Sequence, residues 1–144
     1  MSLFLATCQG IGLAVAAGTF AGASGRRGSI GALVAVPAAI GGGILFAVSL
    51  SNRDHPAWPG VPLGILIALF AFGAISAVVA GAQARARGGA SSIGFIVAGT
   101  AIVIAVLSVF LEPFGLVAFA GLLWLASARR RRAQRKHEGL RVLR

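Results

Sequence analysis

Acid is what this chain most lacks. Asp54, Glu112 and Glu138 are its only carboxylate side chains in 144 residues, against 13 lysines and arginines. Charged residues of both signs make up 11% of the chain, where a soluble domain carries roughly 25%. A soluble domain of this length needs a polar shell, and so few charges cannot build one. A single cysteine, Cys8, excludes an internal disulfide and any cysteine-based zinc site. There is no HExxH motif, no nucleophile with a plausible His/Asp relay and no pair of carboxylates within an apolar run, so no catalytic residue, no cofactor and no enzyme activity are expected.

What fills the space is apolar. Hydrophobic residues make up 58% of the chain, in runs close to the 20 or so residues that a membrane-crossing helix needs. Residues 3–23, 30–50 and 61–82 form three such runs. A fourth, 93–128, is too long for one ordinary span. Glu112-Pro113 interrupts it, and proline disfavours helical geometry in the residue before it while lacking an amide hydrogen. The split predicts spans at 93–111 and 113–128. The expected fold is therefore an all-α, polytopic membrane protein: five transmembrane helices (residues 1–128) in a glycine-rich bundle, followed by a basic tail (129–144).

The charges order these spans. Arg26 and Arg27 lie in the first connection, Arg53 with Asp54 in the second, Arg85 and Arg87 in the third, and Glu112 in the fourth. Arg129, Arg130, Arg131, Arg132, Arg135 and Lys136 follow the last span. With five spans every basic segment falls on one side, which the positive-inside rule makes cytoplasmic; the N-terminus is then outside and the C-terminus inside. With four, the tail and Arg85/Arg87 would face opposite sides. The first run ends in Ala21-Gly22-Ala23, which looks like a signal-peptidase site, but no basic residue precedes it and Arg26-Arg27 follows it. That order of charge suits a retained anchor. Trp58 and Trp124 are placed near headgroups by the same map, though Trp124 reads nearly as well as lipid-facing bulk.

Twenty-one glycines would be ruinous in soluble helices, at roughly 1 kcal/mol each. In lipid they permit close helix approach. Gly18 with Gly22, Ala35 with Ala39 and Gly43, and Gly60 with Gly64, Gly73, Ala77 and Gly81 are read as small-residue stripes. Pro37 with Gly41, Gly42 and Gly43 marks either a static kink or a hinge in the second helix. Ser29-Ile30-Gly31 and Ser92-Ile93-Gly94 precede the second and fourth spans; the echo fits a duplicated helix pair or chance in a small alphabet.

No span carries a charge near its middle, which argues against pumps and coupled antiporters. One polar concentration remains, toward the outer face: Gln9, Ser49, Arg53, Asp54, His55, Ser108 and Glu112. It reads either as a small pocket with Gln9 at its floor and Glu112 at its rim, or as an interfacial Arg53–Glu112 pair beside a solvated loop. No metal is expected, since Asp54 and His55 are adjacent and do not easily share one ion. The six basic residues of the tail are read as a topological anchor, or as a contact for the anionic headgroups of membrane lipids. Nucleic acid is not expected, because no aromatic residue interleaves with the tail to stack a base.

The closing residues Lys136-His137-Glu138-Gly139-Leu140-Arg141-Val142-Leu143-Arg144 resemble the end of a family of small bacterial inner-membrane proteins known only as a domain of unknown function. The likeness covers the last fifth of the chain and implies a bacterial inner membrane, without an activity or a functional residue. Two roles are then expected. One is a small permeation or transport protein for a neutral or lipid-like solute, homo-oligomeric because five short helices enclose little volume. The other is a non-transporting accessory or scaffold subunit with a protein partner, engaged through glycine faces or the basic tail.

Overall fold

The computed structural model describes residues 2–25, 28–86, 90–111 and 113–141, with side chains for 3–25, 29–86, 92–111 and 113–131. Arg26, Arg27, Arg87, Glu112 and residues 142–144 lie outside it, as do the side chains of Arg132, Arg135 and Lys136.

The described chain is helical: α1 (Ser2–Gly22), α2 (Gly28–Ser51), α3 (Gly60–Gln83), α4 (Ala90–Phe110) and α5 (Phe114–Arg141). The first four hold stretches long and apolar enough to cross a membrane: Leu3–Gly22, Ser29–Ser51, Gly60–Gln83 and Ser92–Phe110. At 1.5 Å per residue these measure roughly 28–36 Å, against a hydrocarbon layer about 30 Å thick. α5 differs. It is apolar from Phe114 to Ala128 and then continues as one helix through the arginines to Arg141. Residue 129 is thus a change of composition inside a helix, not the end of one.

Each break has a local cause. Pro113 stands just ahead of α5, where an absent amide hydrogen leaves no helical bond unmade. The amide of Phe114 reaches back to the Leu111 carbonyl (2.8 Å), so the connection is a single tight turn. α2 ends in a Schellman arrangement: His55 donates to Leu50 (3.2 Å) and Asp54 to Ser51 (3.1 Å), with Asp54 left-handed at φ 58°. Pro37 does not break α2, which runs through it with the proline ring exposed.

α1 is the hub. It packs against each of the other four helices, whereas among the described residues α2 touches neither α4 nor α5. A central helix must be narrow on every side, and α1 is: Ala6, Gly10, Gly12, Ala14, Ala16 and Gly18 are all buried. One cluster, Ala6, Ala14, Phe46 and Leu50, joins α1 to α2. A second, Val15, Ala71 and Leu122, joins it to α3 and α5. The backbones come close where glycines meet. A Cβ on Gly115 would collide with the Cys8 carbonyl, one on Gly18 with the Ala68 carbonyl, and one on Gly64 with the Gly42 carbonyl. Van der Waals contact of this kind is what holds helices together in lipid, where exclusion of water offers little.

The small-residue stripe of α3 is not the one its sequence spacing suggests. Its buried residues are Gly60, Gly64, Ala68, Ala71, Ser76 and Val79. Gly73 is exposed, with nothing near the position of a Cβ, and Ala77 and Gly81 are only partly covered. Continued at one residue in four from Gly60 and Gly64, the stripe passes through Ala68 and then shifts by three to Ala71. The Gly73–Gly81 set lies on another face.

Candidate functional site

Ser49 and Ser108 are both buried near the Asp54 end of the bundle, but they do not meet. Ser49 sits against Ala6 and Gly10 of α1, donating to the carbonyls of Ala6 (3.2 Å) and Phe46 (2.7 Å). It is a clasp between α1 and α2. Ser108 lies against Gly12, on a face of α1 roughly 140° away at 100° per residue, and donates to the Ile104 carbonyl of its own helix (2.7 Å). α1 stands between the two hydroxyls. Gln9 is half-buried on α1. Arg53, Asp54 and His55 belong to the α2 cap and the connection that follows it, Asp54 exposed and the other two partly covered. Glu112, the rim of the expected pocket, is outside the described residues. Among the described residues no three metal-ligating side chains gather.

The other hydroxyls follow the same rule. Thr7, Thr19, Ser76, Thr100 and Ser127 each donate to a carbonyl three or four residues earlier. No described buried side-chain nitrogen or oxygen is left without a partner. Each of these hydroxyls thus spends its single donor on its own helix.

One concavity lined by described residues is apolar. An open groove of about 240 Å³ runs along α1 between α2 and α4, floored by Leu13, Ala16, Ala17 and Phe20 and walled by Leu45 and Ala101 with its neighbours. It exists because α2 and α4 flank α1 without touching. Gln9 falls on the same face of α1 one turn from Leu13, by helical register. Sequence reasoning missed this groove. Nothing in the apolar pattern of α1 distinguishes its open face from its packed ones.

The hinge candidates divide. Pro37 is exposed and Gly41 has open space about it, whereas Gly42 and Gly43 are buried against α3, beside Ala68 and Ile65. The last two serve helix contact, whatever freedom the first two retain.

Of the four helices long and apolar enough to cross a membrane, α4 is the barest: 11% of its apolar stretch is buried, against 50% for α1. Phe95, Ile96, Val103 and Phe110 are exposed, and Gly99 between them has nothing within 4 Å of a Cβ position. The result is a notched apolar surface.

At the other end of the bundle two arginines are bonded to helix carbonyls. Arg129 lies two turns beyond the buried Leu122 on the packed face of α5, and its Nη1 donates to the Ala74 carbonyl of α3 (3.4 Å). Arg85 folds back on α3 to donate from Nε to the Gly81 carbonyl (2.9 Å). Arg85 was legible in the sequence only as a topological charge. Its spacing of four from Gly81 was the available signal.

These features define a helical bundle with the lengths and composition of a multi-pass membrane protein. No family model, no curated protein and no solved structure matches the chain.

Proposed function

We propose that this is a five-span protein of the bacterial inner membrane, N-terminus outside and C-terminus cytoplasmic, that works as an accessory or scaffold subunit by docking a partner helix. The span count rests on α5. Its Gly115 opposes Cys8 and Gly12, and its Arg129 reaches Ala74, beside the Ile75 that covers Gly22 at the end of α1. The apolar part of α5, roughly 22 Å long, therefore accompanies α1 through most of its length, and a short span is accommodated by local thinning of the bilayer. The alternation of basic connections supports the orientation.

The bare face of α4 carries the docking role. Bulky Phe95 and Val103 flank Gly99 at four-residue spacing, which leaves a notch of the kind into which another helix packs. The centre of the bundle, by contrast, is filled by α1, and its hydroxyls are committed to carbonyls. A photo-crosslinking residue at position 99 tests the reading in the native membrane. It should trap one different polypeptide, and one at the buried Phe46 should not. Self-crosslinks or lipid adducts alone would retire it.

The groove favours a second reading, movement or holding of a lipid-like solute along α1 between α2 and α4. Filling it with Ala101→Phe should then abolish flux of that solute in vesicles and leave partner capture at position 99 intact.

A further inference from the structure

We propose that the cytoplasmic ends of α3 and α5 form a binding site for the headgroup of an anionic phospholipid, held by Arg85 and Arg129. The proposal stands apart from the docking role.

Three observations carry it. The first is placement. The packed face of α5 runs Gly115, Ala118, Leu122 and then Arg129, so the helix brings a guanidinium against α3 instead of releasing it to bulk water. Ala74 and Gly81, which accept from Arg129 and Arg85, are seven residues apart on α3. They share one stripe two turns long, about 10 Å. Both arginines are thus fastened to one edge of one helix.

The second is depth. Gly22, the last residue of α1, packs against Ile75. Arg129 therefore meets α3 where α1 ends, and α3 carries on to Gln83, about 13 Å further. The two acceptor carbonyls stand about 10 Å apart along α3, wide enough to straddle the roughly 5–7 Å of headgroup region on one side of a bilayer. Trp124, 71% exposed, lies on the lipid side of α5 two turns before Arg131, as an aromatic residue at the hydrocarbon boundary does.

The third is charge. Arg85, Arg129, Arg130 and Arg131 are exposed, and the partners of the first two are carbonyl oxygens, which leave the positive charge unneutralised. Asp54, the one acidic residue among those whose side chains are described, is at the opposite end of the bundle. A guanidinium offers five N–H groups in a planar fork matched to phosphate. With one N–H of each spent on a carbonyl that fixes the side chain, the rest are aimed by the helix edge and not by a flexible tail.

The test is native mass spectrometry of the full-length protein in mild detergent, titrated with phosphatidylglycerol or phosphatidylcholine, and separately with glycerol 3-phosphate, the headgroup without chains. Phosphatidylglycerol should be retained over phosphatidylcholine, and glycerol 3-phosphate should not bind. The pair Arg85→Gln/Arg129→Gln should weaken phosphatidylglycerol binding roughly thirtyfold. Arg85→Gln alone, at an exposed position bonded to its own helix, should weaken it about fivefold without lowering the thermal midpoint. It serves as the readout if the pair unfolds. Equal retention of the two lipids, binding of glycerol 3-phosphate at the same strength, or undiminished binding by Arg85→Gln would each overturn the proposal.

Discussion

At the scale of single residues, identity of side chain matters less than what a Cβ would meet. Gly115 and Gly73 are both helical glycines in apolar runs, yet one is pressed on the Cys8 carbonyl and the other faces open space. Gly115→Ala should destabilise the bundle by about 1–3 kcal/mol through overpacking against backbone. Gly73→Ala should leave it unchanged or stabilise it by up to about 1 kcal/mol through helix propensity. Thermal unfolding in detergent separates them, and equal midpoints would refute the close α1–α5 contact. Asp54 offers a second case. It occupies the left-handed position of the α2 cap, where glycine has no steric penalty. Asp54→Gly should therefore raise stability by about 0.5–1 kcal/mol; a loss would mean that the carboxylate holds the connection in some other way. The candidate polar residues were legible as polar and as near one end of the bundle. That Ser49 and Ser108 sit on different faces of α1 was not, because their distance depends on which helices α1 separates.

Elements were more legible than contacts. The interruption at Glu112-Pro113 was readable because proline acts on its own backbone and on the residue before it, with no reference to neighbours. The same residue type inside α2 leaves the helix continuous, since the ring of Pro37 points away from the bundle and only one intrahelical bond is lost. Pro37→Ala should restore that bond and stabilise α2 by about 1–3 kcal/mol, seen as a higher melting temperature with unchanged helix content. A fall in helix content would show that the proline sets the course of the helix. α5 makes an opposite point: composition suggests a tail at residue 129, but the helix continues to Arg141. Hydrogen exchange should show amides 129–135 protected as a continuation of the apolar turns. Exchange as fast as an unstructured peptide from Ala128 onward would contradict this.

For the whole molecule, the arrangement of four helices about a narrow central one governs both proposals. It closes the middle, opens a groove between α2 and α4, and leaves one face of α4 bare. It also makes orientation testable. With Cys8→Ser as background, a cysteine at Ala57 should react with an impermeant thiol reagent added outside intact cells, and a cysteine at Ser24 should react only after the membrane is opened. The reverse pattern would invert the topology, and labelling of both from outside would mean that α2 does not cross the membrane.

The sequence by itself determined that the chain is helical, apolar over bilayer-crossing lengths and broken where proline and charge interrupt it. Those properties follow from transfer of each residue between water and hydrocarbon and from local backbone geometry, and they add along the chain. Tertiary structure alone decided which faces pack. In helices that are apolar all round, no face is marked by hydrophobicity, so periodicity cannot point inward. Contact is then settled by shape: Gly115 finds the Cys8 carbonyl, Gly73 finds nothing, and Arg129 reaches Ala74, because five surfaces fit together in one way around α1.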